Sequence, residues 1–439
     1  MMENKIEEKI LDLALKNSDS AEVIYEEGES RSISFENNKL KSVYTKSIRG
    51  IGLRVIRNGK IGFSSTTDFR KPEQVVSNAI ESAKFGQDAK FEFQSQNHFQ
   101  DIKLLDEKVI NYPIEKGIQI GKDTITKALS HNPNYECGVS IGKSVGRSRL
   151  INSSGLDIST QYTSFGIGVD ILLVKDQGLL WAGEGESSAR LVEDLDKHTT
   201  KALHDLKLAE REVEITTGSY PVVFTSKAIG TLLATFETGC NGKLVQKGAS
   251  PLTGKLGQKI IDERINIYDD STIDYADGSF ICDGEGVHAQ RTPIFESGVL
   301  KNYIYDLQTA GMMNAKSTGN GIRSFASQPS PGNSNVIIEP GEMKFEDMIK
   351  DMKRGILVDQ VLGGGQSNVL AGEFSVNIDL GYLVENGEIV GRVKDCMIAG
   401  NVFDVFNNIT AIGDKADWHG SLKAPPFYFR SVNVAGNKG

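Results

Sequence analysis

The sequence predicts an α+β protein: a duplicated N-terminal α/β region with helices on antiparallel sheet, then a strand-rich C-terminal domain of curved antiparallel sheet. Three observations carry this expectation. An ungapped internal repeat marks the first half, and alternating apolar and polar residues mark strands within both copies. After Glu210, glycine-rich segments punctuated by turns replace the helical patterns.

The chain opens on an amphipathic helical pattern, with Ile6, Ile10, Leu13 and Ala14 on one face. Strands follow near 21–66, closed by a helix over Pro72–Phe85 whose proline sits in the first turn, where its missing N–H costs nothing. A polar connection, 87–111, leads to a second helix near Pro113–Leu129, strands near 135–188 and a helix near Leu191–Leu208. Leu40, Gly50, Ile51, Gly52, Leu53, Val55, Ile56 and Gly62 match Leu156, Gly166, Ile167, Gly168, Val169, Ile171, Leu172 and Gly178, always 116 residues on. The expected organisation is therefore an N-terminal domain, 1–211, made of repeats at about 1–86 and 112–210, and a C-terminal domain, 212–439. In the first copy Asn58-Gly59 supplies the turn after the long strand, and Lys175-Asp176-Gln177-Gly178 does so in the second.

In the C-terminal half, IFESGVLKNYI (294–304) and GYLVENGEIVGRV (381–393) read as hairpins, with Ser297-Gly298 and Asn386-Gly387 tolerating positive φ. Helices are expected over Ser226–Val245 and near Tyr305–Ala315 and Phe345–Met352.

A formal net charge of −9 and the lack of any Lys/Arg run argue against direct nucleic-acid binding. No stretch approaches the apolar length of a membrane span, and the charged opening has no signal-peptide core. Four scattered cysteines, Cys137, Cys240, Cys282 and Cys396, suit reduced thiols, so the expected compartment is the cytoplasm.

Catalytic motifs are missing. His198 and His204 stand six residues apart, which at about 100° per residue separates them on a helix; with Asp194, Asp196, Lys197 and Asp205 they read as a solvated face. No G-x-S-x-G elbow occurs, and KGASPLTGKLG (247–257) is one residue too long for a phosphate loop. Asp269, Asp270, Asp274, Asp277, Asp283 and Glu285 lack calcium-loop spacing and fit turn-flanking carboxylates. Gly319-Asn320-Gly321 and Gly363-Gly364-Gly365 allow either tight turns or close backbone approach to a ligand.

The stretches 282–313, 315–324 (AKSTGNGIRS) and 361–414, together with NNKLKSVYTKSIRGIGLRVI (37–56), resemble the TldD/PmbA family over most of the chain. The resemblance implies a cytosolic complex of two related subunits that cleaves small or unfolded peptides in an enclosed cavity. In TldD-type members a helix carries H-E-x-x-x-H and a C-terminal Cys completes a zinc site, where the metal polarises the scissile carbonyl and activates water. Here the corresponding helix, AIGTLLATFETGCNGKLVQKG (228–248), holds Glu237 without a histidine, and the tail holds no cysteine. The resemblance therefore implies a PmbA (TldE)-like subunit with no catalytic or metal residue and no cofactor of its own, zinc being expected in the partner. The partner is a TldD-like zinc-bearing subunit, or a second copy in a homodimer, and the substrate is peptide. Glu285, Ser317, Thr318, Asn320 and Gln366 are the peptide-contact candidates. Two other readings stay open: a self-sufficient peptidase with unconventional metal ligands, and a homodimeric binding or regulatory protein, in keeping with the family's label as modulator of DNA gyrase.

Overall fold

A computed structural model describes residues 6–95, 98–175, 178–363 and 367–438. Helix α1 (Ile6–Leu15) precedes strand β1 (Ser20–Glu36), which turns back through Asn37 (φ 46°) and Asn38 (φ 64°) into β2 (Lys39–Arg57). A two-residue hairpin of this hand needs positive φ at both centres, which asparagine tolerates. Asn58 (φ 50°) and Gly59 (φ 71°) repeat the device before β3 (Lys60–Thr66), as the sequence predicts. Helix α2 (Pro72–Ala83) and, within the polar connection, the short α3 (Glu107–Ile110) lead to α4 (Ile114–His131). A second meander comes next: β4 (Tyr135–Asn152), β5 (Asp157–Lys175) and β6 (Gly178–Ser188). Part of its predicted turn, 176–177, lies outside the described residues. Helix α5 (Leu195–Leu208) begins four residues later than predicted, because the Asp194 carboxylate accepts the Lys197 N–H at 3.1 Å and sets the cap there.

The six strands form one sheet in the order β3-β2-β1-β4-β5-β6. The two meanders meet through their first strands, antiparallel from Glu22 opposite Asn152 to Phe35 opposite Val139. Matched residues 116 positions apart thus occupy corresponding strands, except that Leu156, the counterpart of Leu40 on β2, stands one residue before β5. Helices α1 and α2 cover Val23, Leu53 and Val55, while α4 and α5 cover Phe35, Ile141, Phe165 and Val169. Over that second stretch the other face carries the alternate residues, many of them Ser and Gly.

All strands of the remaining sheets lie beyond residue 211. The first segment holds β7 (Glu212–Val213), β8 (Gly218–Phe224), α6 (Gly230–Cys240) and α7 (Gly242–Gln246). The middle holds β9 (Ile267–Asp270), β10 (Arg291–Glu296), β11 (Val299–Leu300), α8 (Leu307–Met312), β12 (Gly321–Ile322), β13 (Ser330–Pro331), β14 (Val336–Ile338) and α9 (Phe345–Asp351). Last come β15 (Arg354–Leu362), β16 (Glu373–Glu385), β17 (Glu388–Val393), β18 (Met397–Asn401), α10 (Val402–Phe406), β19 (Ile409–Ile412), β20 (Asp417–His419), β21 (Leu422–Ala424) and β22 (Phe427–Ala435). Pairings β15–β8, β8–β22, β22–β18, β18–β16 and β16–β15 close a ring, so the expected curvature goes as far as a barrel. Ser297-Gly298 (φ 46°, 71°) and Asn386-Gly387 (φ 52°, 80°) form the predicted turns.

The helix expected over Ser226–Val245 is two helices. Asn241 takes an extended ψ of 111°, its side chain accepts the Lys243 N–H at 3.0 Å, and the Gly242 N–H bonds Ile304 O at 2.8 Å. One apolar core joins both halves, with Ile141 and Leu203 in the same cluster as Leu357, Tyr382 and Tyr428. Among the described residues no helix is long and apolar enough to cross a membrane.

Candidate functional site

Glu285 sits in the tight Asp283–Val287 turn, where Gly286 has φ 78° and the Asp283 Oδ1 accepts the N–H groups of Glu285 and Val287 at 2.9 Å each. The Glu285 carboxylate points inward, fully buried. Its Oε1 lies 2.6 Å from Arg54 Nη1 on β2, and its Oε2 accepts the Leu307 N–H at 2.6 Å, at the start of α8. Arg54 also donates to Glu22 Oε1 at 2.9 Å, an oxygen shared with Arg323 at 2.8 Å. Two carboxylates and two guanidiniums are thus sealed between the N-terminal sheet and the C-terminal half. Burial acts to lower the Arg54 pKa, but Glu22 and Glu285 outweigh it and hold the group above its ordinary value. Burial raises the Glu285 carboxyl, against the pull of Arg54. Asp283 is pushed up to about 7, first by burial and then by the Glu285 charge.

Asn320 is equally enclosed, 1% exposed, with Nδ2 bonding Asp269 Oδ1 at 2.7 Å and Gly332 O at 3.0 Å. Glu285 and Asn320, expected as peptide contacts, are thus turned inward, with almost no surface to offer a peptide in the isolated chain. Thr318 is half-buried, and its hydroxyl is spent on Tyr305, accepting the N–H at 2.8 Å and donating to the carbonyl at 3.2 Å. Ser317 lines a concavity of about 710 Å³ with Lys90, Phe91 and Leu307, and among the described candidates it is the one in that lining. Gln366 lies outside the described residues.

Glu237 on α6 and Asp269 on β9 share a narrow, mostly apolar slot with Leu233, Cys240, Ile304 and Asn333. The protein crowded around Glu237 raises its pKa, and the nearby Asp269 charge adds to that. An H-E-x-x-x-H centred on this glutamate would need histidines where Phe236 and Asn241 stand. Phe236 is instead the hub of an aromatic cluster, its ring 5.0–5.8 Å from those of Phe295, Phe403 and Phe406. Asn241 caps α7 and donates to Pro331 O at 2.9 Å. Cys240 is fully buried, which holds its thiol protonated. This donor set does not fit a zinc ion.

A second polar site was not legible in the sequence. Glu184 on β6, Asp205 on α5 and Asp359 on β15 bring carboxylate oxygens within 4.8 Å of one another. Two ammonium groups hold them. Lys227 Nζ lies 2.8 Å from Glu184 and 2.7 Å from Asp359, and Lys201 Nζ lies 2.8 Å from both Glu184 and Asp205. Although burial opposes it, the surrounding carboxylates hold the Lys201 pKa well above its ordinary value. Asp205, expected on a solvated face, is buried here. The cluster borders a cavity of about 430 Å³ lined also by Trp181, Gln360 and His419; burial lowers the His419 pKa, and Nε2 meets Ser226 Oγ at 3.0 Å. No spacing rule could have found these residues, which come from strands and helices far apart in the chain.

A family profile described as the PmbA/TldA metallopeptidase C-terminal domain matches residues 217–436, and one described as PmbA/TldA metallopeptidase domain 1 matches residues 21–83. An uncharacterized protein of Methanocaldococcus jannaschii is 30% identical over 96% of this chain and 98% of its own. The metalloprotease TldD homolog of Buchnera aphidicola is 27% identical over 94% of this chain and 89% of its own. The crystal structure of TldE from Thermococcus kodakarensis superposes with a TM-score of 0.89 at 24% identity, covering 98% of this chain and 100% of that one, and shares the fold.

Proposed function

Since the chain belongs to the PmbA/TldD metallopeptidase family, we propose that it is a PmbA/TldE-type subunit without its own metal site. It acts in the cytoplasm beside a zinc-bearing TldD-like subunit, closing a chamber in which small or unfolded peptides are cleaved. One observation supports this reading above the others: on the helix that resembles the family's metal-binding one, Glu237 has no histidine at the positions a zinc motif would use, Phe236 being committed to packing and Asn241 to capping. Zinc, when bound to the partner, would polarise the scissile carbonyl there. This chain's contribution is to shape and exclude water from the chamber, with Ser317 and the backbone of its loop at the 710 Å³ concavity as the peptide-facing surface.

The test is metal analysis and peptide cleavage on the isolated chain and on the chain co-expressed with a zinc-bearing relative. Zinc and cleavage are expected with the pair and neither with the isolated chain. Stoichiometric, tightly held zinc in the isolated chain would overturn the proposal.

A further inference from the structure

Strand β2 is paired unequally on its two sides. Its inner side meets β1 from Lys39 to Ile56, but β3 covers its outer side only from Ile51 to Arg57. Among the described residues no strand pairs with the outer edge from Lys39 to Gly50. An exposed edge of this length presents a ladder of backbone donors and acceptors ready for another strand.

Three further observations say what would pair there. Leu40, Val43, Tyr44 and Ile48 stand 41–54% exposed on this stretch, so a quarter of the sixteen large apolar side chains exposed among the described residues gather on one edge. Beside it, Lys41, Ser42 and Tyr44 form one wall of a concavity of about 750 Å³. Its floor is made of small residues of β1 and β4, Ser34, Ser140 and Gly142 among them. The third is charge. The distal hairpin, residues 28–50, carries Arg31, Lys39, Lys41, Lys46 and Arg49 against Glu29 and Glu36, a net +3 on a chain of −9. Two copies meeting edge to edge would bring four basic residues against four, and like charges across a strand pair destabilise it. An acidic strand meets no such penalty.

We propose that the outer edge of β2 from Lys39 to Gly50 is a docking strand for a partner protein, which adds an extended acidic strand to the six-stranded sheet. If the chain is the TldE-type subunit proposed above, that partner is the zinc-bearing subunit.

Hydrogen–deuterium exchange on the full chain tests this, with two soluble twelve-residue probes, one alternating Glu with Val and one alternating Lys with Val. The acidic probe should slow exchange of the outward-facing amides in 39–50 by about tenfold or more, and the basic probe should not. The variant Lys39→Glu/Lys41→Glu/Lys46→Glu, exposed throughout, should keep its fold by circular dichroism, lose the effect and fail to co-purify with a zinc-bearing relative. Equal protection by both probes would overturn the proposal, as would none from the acidic one. Protection that grows with the chain's own concentration would assign the edge to a second copy instead. Protection by the acidic probe without any co-purifying relative would sink the TldE-type assignment and leave the edge assignment standing.

Discussion

Arg54 Nη1 and Glu285 Oε1 meet at 2.6 Å across 231 residues of chain, with neither side chain more than 2% exposed. The contact fastens the C-terminal half to the N-terminal sheet. Glu285→Ala strands a buried guanidinium, and loss of one partner of such a pair costs about 3–5 kcal/mol. Urea unfolding should show that loss; a change under about 1 kcal/mol would mean that the network relaxes around a missing carboxylate.

The repeat offers a matched pair of glycines. A Cβ on Gly50 would fall 2.1 Å from the Phe325 ring, whereas one on Gly166, its counterpart, would have Ser187 Cβ at 3.7 Å as its nearest neighbour. Gly50→Ala should therefore lower stability by about 1–3 kcal/mol, and Gly166→Ala should leave the melting temperature nearly unchanged. Equal effects at both positions would show that the Phe325 contact is not what sets them apart.

Asn320→Ala removes both bonds that Nδ2 makes, leaving the Asp269 carboxylate short of a donor. The expected outcome is a loss of about 1–3 kcal/mol in stability, seen in the isolated chain without any peptide present. Were thermal melting unaffected and only peptide cleavage in the assembled pair slowed, Asn320 would return as a substrate contact.

Lys201 and Lys227 occupy the space between Glu184, Asp205 and Asp359. Adding Mg²⁺ or Zn²⁺ should leave the melting temperature of the wild type unchanged. Lys201→Ala/Lys227→Ala should be destabilised, and divalent ions should restore part of the loss by neutralising the freed carboxylates. A metal-induced shift in the wild type would show that the ammonium groups do not exclude a cation.

Asp283 titrates upward, to about 7, because burial and the Glu285 charge favour its neutral form. A carboxyl raised on folding contributes stability that is complete below its ordinary unfolded value near 4 and is lost as pH rises through about 7. Urea midpoints should accordingly fall between pH 5 and pH 8, and Asp283→Asn, though weaker overall, should flatten that slope. An unchanged slope would place the pH dependence elsewhere.

Turns and periodicity were legible in the residues because they are short-range. Asn58-Gly59, Ser297-Gly298 and Asn386-Gly387 announce positive φ through sterics acting within two residues, and alternation announces strands because side chains change face at every step. The 116-residue repeat likewise foretold two similar meanders. The missing histidines around Glu237 could also be read directly, since a ligand must first be present to bind. What Phe236 and Asn241 do instead, and that Glu285 and Asn320 face inward, depended on which distant surfaces they meet. The same holds for Asp205, Lys227 and Asp359, gathered from α5, the turn before α6 and β15 by a core that both halves share. Burial and ion pairing are properties of the assembled chain: their energies arise when water is excluded by residues hundreds of positions away, and no local pattern encodes that exclusion.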